Sequence, residues 1–288
     1  MQKKKTEEKS SLKEFFISQK TYPRKSLGQN FIRDPHVLER IGEIANLSKD
    51  DEVLEIGAGL GALTIFLGQR AGRVIAIEKD RKLIEKLKEA VSHLKNVEVI
   101  PEDALRVEFG RFYGEKRIKV VSNLPYSISS PILIKLVEEW ELFSLLVLMI
   151  QREVGERITA SPGSRTYGSI SVLIQTYMDV SIELHVPPDA FWPRPKVDSV
   201  VIKLVPLPIP RISMPDEKLF RSIVRAAFSS RRKILSNSLC SLLSKEKVEE
   251  ILKLSGIDGK RRAETLSLEE FGRLTEEALR IKNSLSSW

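Results

Sequence analysis

Along the stretch that ends at Val205, short apolar runs bounded by glycine or charge alternate with segments whose apolar residues return every three to four positions. Glu52–Gly57 is the first such run and reads as a buried strand that ends on a glycine. Ala62–Gln69 then reads as a helix stopped by Gly72, and Arg73–Glu78 as a second strand, which makes a strand-helix-strand unit. The alternation continues with a helix over Arg81–Leu94, strands over Val97–Pro101 and Ile118–Ser122, a helix over Pro131–Glu139 and a strand over Ser144–Gln151. A further helix is predicted over Ser169–Met178. Strands over Ser181–Val186 and Ser199–Val205 flank a proline-rich loop and can pair as an antiparallel edge. The pattern predicts an α/β fold with a mainly parallel, seven-stranded sheet covered by helices.

Past Pro206, Pro208 and Pro210 the pattern changes to short amphipathic helices without convincing strands. The expected organisation is a flexible basic tail over residues 1–20, a larger α/β domain over 21–206 and a smaller α-helical domain over 207–288. The tail opens with Lys3, Lys4 and Lys5 but then carries Glu7 and Glu8, with neither the apolar core of a secretion signal nor the Arg-rich face of a transit peptide. The longest strongly apolar stretch, Phe143–Ile150, falls far short of the roughly 20 residues that span a bilayer. Cys240 is the only cysteine, so no intrachain disulfide can form, no Cys/His cluster offers a metal site, and a cytoplasmic location is expected. The formal charge of +8 and a pI near 9.4 favour a polyanionic partner. Residues 206–288 hold 16 Lys plus Arg against 11 Asp plus Glu, so much of that excess lies in the helical domain.

Glu55-Ile56-Gly57-Ala58-Gly59-Leu60-Gly61 falls where the first strand turns into a helix, and Gly57, Gly59 and Gly61 let the backbone come close to a ligand. The GxGxG spacing differs from the GxGxxG dinucleotide fingerprint, and Glu55 precedes the first glycine. That combination points to S-adenosylmethionine rather than NAD. Glu78 closes the second strand, where a carboxylate can accept hydrogen bonds from ribose hydroxyls, and Asp103 follows the third, placed to contact the cofactor's adenine amine.

Asn123-Leu124-Pro125-Tyr126 directly follows the fourth strand, at the edge where α/β sheets bind ligands. An aromatic exocyclic amine is a poor nucleophile because its lone pair is delocalised into the ring. If the Asn123 side-chain oxygen and the Leu124 carbonyl accept its two N–H groups, the nitrogen is drawn toward tetrahedral geometry and the lone pair is freed. Pro125 would stiffen the turn, and Tyr126 and Phe191 are candidates to hold the base. His36, His93 and His185 are scattered, and none neighbours this motif, so no catalytic histidine is assigned and the amine's proton is expected to leave to solvent. The chemistry calls for no metal and no covalent intermediate.

With these motifs, the sequence resembles the ribosomal RNA adenine dimethyltransferase family, which converts two adjacent adenines near the 3′ end of small-subunit rRNA to N6,N6-dimethyladenosine. The likeness runs from about Tyr22 to the C-terminus. Lys25-Ser26-Leu27-Gly28-Gln29-Asn30-Phe31 is similar to the family's N-terminal signature, and Phe191-Trp192-Pro193-Arg194-Pro195-Lys196-Val197-Asp198-Ser199 to its later loop. The resemblance implies a Rossmann-like class I methyltransferase fold that uses S-adenosyl-L-methionine. It also implies that Asn30 and Ile32 line the methionine end of the cofactor, with Gly57, Glu78, Asp103 and Asn123 completing the pocket. Ile32 stands where the family usually has leucine. Phe228-Ser229-Ser230-Arg231-Arg232-Lys233 resembles the stretch that opens the family's helical domain, where Arg231, Arg232 and Lys233 can pair with RNA phosphates. The implied partner is small-subunit rRNA in an assembling 30S subunit, met by a monomeric enzyme.

Two other readings compete. One is the related group that methylates an adenine of large-subunit rRNA and confers macrolide resistance, against which the Asn30 region and the Phe191 loop speak. The other is a ribosome-assembly or transcription factor that kept the fold and lost catalysis, against which the intact Gly57, Glu78 and Asn123 speak.

Overall fold

The computed structural model describes residues 23–24, 28–230 and 232–285. Its contacts divide the chain into two compact units, Met1–Gly155 with Val180–Pro206, and Glu156–Asp179 with Leu207–Trp288. The predicted tail over residues 1–20 lies outside the described residues.

In chain order the elements that build the first unit are β1 (Phe31–Ile32), α1 (Pro35–Ala45), β2 (Glu52–Ile56), α2 (Ala62–Arg70), β3 (Arg73–Ile77), α3 (Arg81–Val91), β4 (Val97–Ile100), β5 (Ile118–Asn123), α4 (Ser129–Glu138) and β6 (Phe143–Gln151). α5 (Arg152–Ile158) leads out of it into α6 (Ser169–Tyr177), and β7 (Met178–Val186) leads back, followed by β8 (Phe191–Trp192) and β9 (Ser199–Pro206). The seven-stranded sheet has the order β4-β3-β2-β5-β6-β9-β7. β2 to β6 are mutually parallel and β9 runs antiparallel to β6. β2 and β3 each bury four of their five residues, as strands covered on both faces must. α3 shows how a helix is fixed on such a sheet: Asp80 caps it by accepting the Lys82 N–H at 3.2 Å, and Leu83, Ile84, Leu87 and Val91 form its buried stripe.

The second unit is helical, with α6, α7 (Glu217–Ala227), α8 (Leu235–Leu239), α9 (Lys245–Leu254) and α10 (Leu268–Leu285). Phe220, Val224, Leu235, Val248, Ile251 and Phe271 are among the residues of its core.

The mainly parallel seven-stranded sheet and the helical C-terminal region match the sequence reading, and the expected edge pair is present as the neighbours β9 and β7. Four features depart from that reading, one being α5, which no predicted element covers. Residues Glu156–Asp179, expected within the larger domain, pack with the helical unit because Val172 and Leu173 of α6 enter its core. α1 was not foreseen, although Asp34 accepts the His36 N–H and Pro35 opens the helix, both ordinary start signals. The two-residue strands β1 and β8 pair in a small antiparallel sheet of their own. Among the described residues no helix is long and apolar enough to cross a membrane.

Candidate active site

β2 and β5 are neighbours, and the chain builds the sheet outward from them in opposite directions, so a crevice opens at their carboxyl ends. The buried Ser122 hydroxyl joins the two strands there. It donates to the Ile56 carbonyl at 2.6 Å and accepts the Ile56 N–H at 3.3 Å. A cavity of about 290 Å³ occupies the crevice within the first unit, and its walls include Asn30, Phe31, Gly57, Glu78, Asn123 and Tyr126.

The turn after β2 supplies one wall. Gly57 has a φ of +78°, and its N–H donates to the Ile77 carbonyl at 2.8 Å, which pins the turn to β3. A Cβ on Gly57 would stand 2.7 Å from the Pro125 ring, so the turn and the Asn123–Tyr126 motif approach each other closely enough to exclude any side chain.

The acidic residues differ in environment. Glu78, at the end of β3, is 7 % exposed and accepts three backbone N–H groups, from Gly59 at 2.8 Å, Lys79 at 2.9 Å and Asp80 at 2.8 Å. Burial raises its pKa, and these hydrogen bonds oppose the rise. Asp103 is more open. Burial alone would raise its pKa, but the Lys79 ammonium at 3.0 Å, with the Leu105 N–H and the charge of Arg106, holds it below the ordinary value.

Glu55 lines the cavity and is 2 % exposed, with Oε2 buried and unpartnered. Burial pushes its pKa from the ordinary 4.5 up to about 8, and the charge of Glu78 pushes the same way. The folded protein therefore holds a proton there that the unfolded chain has released by neutral pH. This contribution costs stability as pH rises from the unfolded value through the folded one. Between pH 6 and pH 9 the ligand-free protein is expected to lose about 2–3 kcal/mol that Glu55→Gln retains, measured by urea unfolding of both proteins at each pH. Parallel stability curves for the two would contradict this.

Asn123 ends β5. Its side-chain Nδ2 donates to the Asn30 carbonyl at 2.9 Å, and because a carbonyl only accepts, the amide has a single orientation. That orientation leaves Oδ1 buried and without a partner. Leu124 anchors its N–H on the Met149 carbonyl at 3.1 Å, while the Pro125 carbonyl accepts the Ile128 N–H at 3.0 Å and the Ser129 hydroxyl at 3.1 Å. Tyr126, half-buried, places its hydroxyl against that of Ser199.

All the residues singled out for a cofactor line the cavity except Gly61, which starts α2 and faces Leu87 of α3. Leu124, Pro125 and Tyr126 line it as well. Phe191 does not. It pairs with Ile32 through β1 and β8, is 1 % exposed and belongs to the apolar core, so the expectation that it holds a base is not met by its position here. Arg231 lies outside the described residues, and Arg232 and Lys233 are exposed. Sequence reasoning missed Gln29 and Asp80. Gln29 donates its side-chain amide to the buried Asp80 carboxylate at 2.9 Å, tying the Gly28–Phe31 segment to the start of α3. Asp80 also caps α3 through the Lys82 N–H.

A family model described as ribosomal RNA adenine dimethylase matches residues 21–279. The chain belongs to the ribosomal RNA adenine dimethylase family. It is 46 % identical over 258 residues to ribosomal RNA small subunit methyltransferase A of Clostridium acetobutylicum, covering 89 % of this chain and 94 % of that one. A dimethyladenosine transferase from Plasmodium falciparum superposes with a TM-score of 0.74 at 28 % identity, covering 87 % of this chain and 98 % of the other. The 23S rRNA methyltransferase ErmE superposes with a TM-score of 0.64 at 28 % identity, covering 86 % and 99 %. The dimethylase family thus accounts for nearly the whole described chain, both units included.

Proposed function

We propose that this chain uses S-adenosylmethionine to dimethylate N6 of two adjacent adenosines near the 3′ end of small-subunit rRNA, acting as a cytoplasmic monomer on the assembling subunit. The observation that carries the site assignment is the fixed Asn123 amide, whose buried Oδ1 has no partner within the protein. A buried acceptor left unmade costs roughly 1–3 kcal/mol, and an incoming amine N–H would recover it.

The residues present fit the methyl donor. Gly57 lets the turn lie against Pro125 where a Cβ would clash, Glu55 and Glu78 supply buried carboxyl groups, and Asn30, Ile32 and Asp103 complete the wall. Glu78, with three of its roughly four acceptor sites used by backbone, would take a ribose hydroxyl on the fourth. Asn30 and Ile32 would hold the methionine end, and Asp103 the adenine amine. When bound, S-adenosylmethionine supplies a methyl group already activated on a positively charged sulfur.

Asn123 Oδ1 and the Leu124 carbonyl would accept the two N–H groups of the target amine and aim its lone pair at the methyl carbon. Pro125 keeps the turn stiff and Tyr126 flanks the base. With the donor bound, transfer would exchange its C–S bond for an N–C bond, and the proton lost by the amine would go to solvent, since the neutral Asn123 amide cannot hold it. Fixing this alignment is the protein's main contribution, on the order of 7–11 kcal/mol of the barrier.

The likeness to ErmE keeps a large-subunit adenine as the second reading. Incubating the protein with labelled donor and either undermethylated small subunits or large-subunit rRNA, then mapping modified nucleotides by mass spectrometry, separates the two. Two adjacent N6,N6-dimethyladenosines near the 3′ end of the small-subunit RNA are expected, and label confined to the large-subunit RNA would overturn the assignment.

The helical unit is proposed to bind RNA phosphates through Arg231, Arg232 and Lys233. Replacing all three with alanine is expected to weaken RNA binding and to flatten the slope of log K against log salt by about 0.7 for each phosphate of single-stranded RNA that is no longer neutralised. An unchanged slope would return these residues to ordinary solvent-exposed surface.

A further inference from the structure

We infer that Ser199 is a positioning residue for methyl transfer, fixing the long axis of the Tyr126 ring at the cavity wall where the target adenine is to be held. The inference rests on the proposed role of Tyr126 at the acceptor site.

The Tyr126 and Ser199 hydroxyl oxygens lie 2.5 Å apart, although the residues are 73 positions apart in the chain. Tyr126 lines the cavity with Asn123, whereas Ser199 is fully buried behind it. Burial raises the phenol's pKa and the Ser199 hydrogen bond opposes the rise; either hydroxyl can be the donor of the contact.

Ser199 is itself firmly held. It is the first residue of β9 and lies opposite Gln151 in the antiparallel ladder with β6. The residue before it, Asp198, accepts the Arg152 backbone N–H on its carbonyl at 3.0 Å and the Arg152 guanidinium on its carboxylate at 2.8 Å. The serine hydroxyl is therefore a fixed point supplied by the sheet, against which the tip of a cavity-wall tyrosine is docked.

A hydrogen bond on the phenol oxygen lies on the axis from Cβ to Oη. It restrains the direction in which the ring extends and leaves rotation about that axis to side-chain packing. Without the Ser199 hydroxyl the phenol would be left partly buried and unpaired, and the ring would be free to leave its rotamer for another partner. The stacking surface would then have to be reassembled with each substrate.

The test compares the parent enzyme with Ser199→Ala, Tyr126→Phe and the double variant, using methyl transfer to undermethylated small subunits at saturating donor. Donor affinity is measured separately by calorimetry, and base stacking by fluorescence quenching of a 2-aminopurine placed at the target position of an RNA fragment. Each single variant is expected to lower kcat/KM by about 5- to 30-fold, with donor affinity unchanged and quenching weakened. The double variant should be no worse than either single one, because both remove the same hydrogen bond. Tyr126→Phe keeps the ring and the β9 strand intact, so it carries the test even where Ser199→Ala folds poorly. Ser199→Ala with the parental kcat/KM, or losses that multiply in the double variant, would overturn the inference while leaving the enzyme's function standing. A parent protein inactive on small subunits would remove the functional reading, and this inference with it.

Discussion

Asn123→Ala is expected to slow methyl transfer about 100- to 1000-fold, the scale of losing one preorganised polar group beside a reacting atom. Affinity for S-adenosylmethionine should stay nearly intact. The split matters because the Asn123 amide faces two ways: its Nδ2 holds the Asn30 carbonyl of the cavity wall, and its Oδ1 stands unpartnered. Donor affinity measured by calorimetry reports the first role and single-turnover transfer the second. A loss of donor affinity that matches the loss of turnover would mean that Asn123 serves the wall and not the amine.

Gly57→Ala is expected to damage both halves of the site together. A φ of +78° costs a residue with a Cβ roughly 1–2 kcal/mol, and the new methyl would stand 2.7 Å from the Pro125 ring. Neither neighbour yields easily, since the turn is bonded to β3 and proline is rigid. Donor affinity should fall about tenfold or more, and transfer by roughly 100-fold beyond that, because small displacements of aligned groups are expensive. Circular dichroism should show the protein still folded. Parental donor binding and turnover in this variant would mean that the turn and the Asn123 motif are not coupled as described.

The sequence was most legible where a signal is local. β2 and β3 are buried on both faces and read as continuous apolar runs, and the glycine turn and the Asn123–Tyr126 motif sit at strand ends that those runs define. It was least legible where long-range pairing decides. An aromatic residue in a proline-rich loop reads equally well as a base-stacking group or a core anchor, and only the pairing of Ile32 with Phe191 makes Phe191 the latter. Strands of two residues, such as β1 and β8, carry no periodicity to detect. α6 was predicted as a helix, but the core it joins depends on residues such as Phe220, far along the chain. The links from Gln29 to Asp80 and from Tyr126 to Ser199 join residues 51 and 73 positions apart, beyond the reach of local pattern.

The geometry of the acceptor amine is tested most directly by a crystal structure of the protein with S-adenosylhomocysteine and an adenosine-containing RNA fragment. The account predicts the adenine N6 within hydrogen-bonding distance of both Asn123 Oδ1 and the Leu124 carbonyl, with its free side toward the sulfur. An adenine bound with N6 remote from those two oxygens, in an otherwise productive complex, would contradict it.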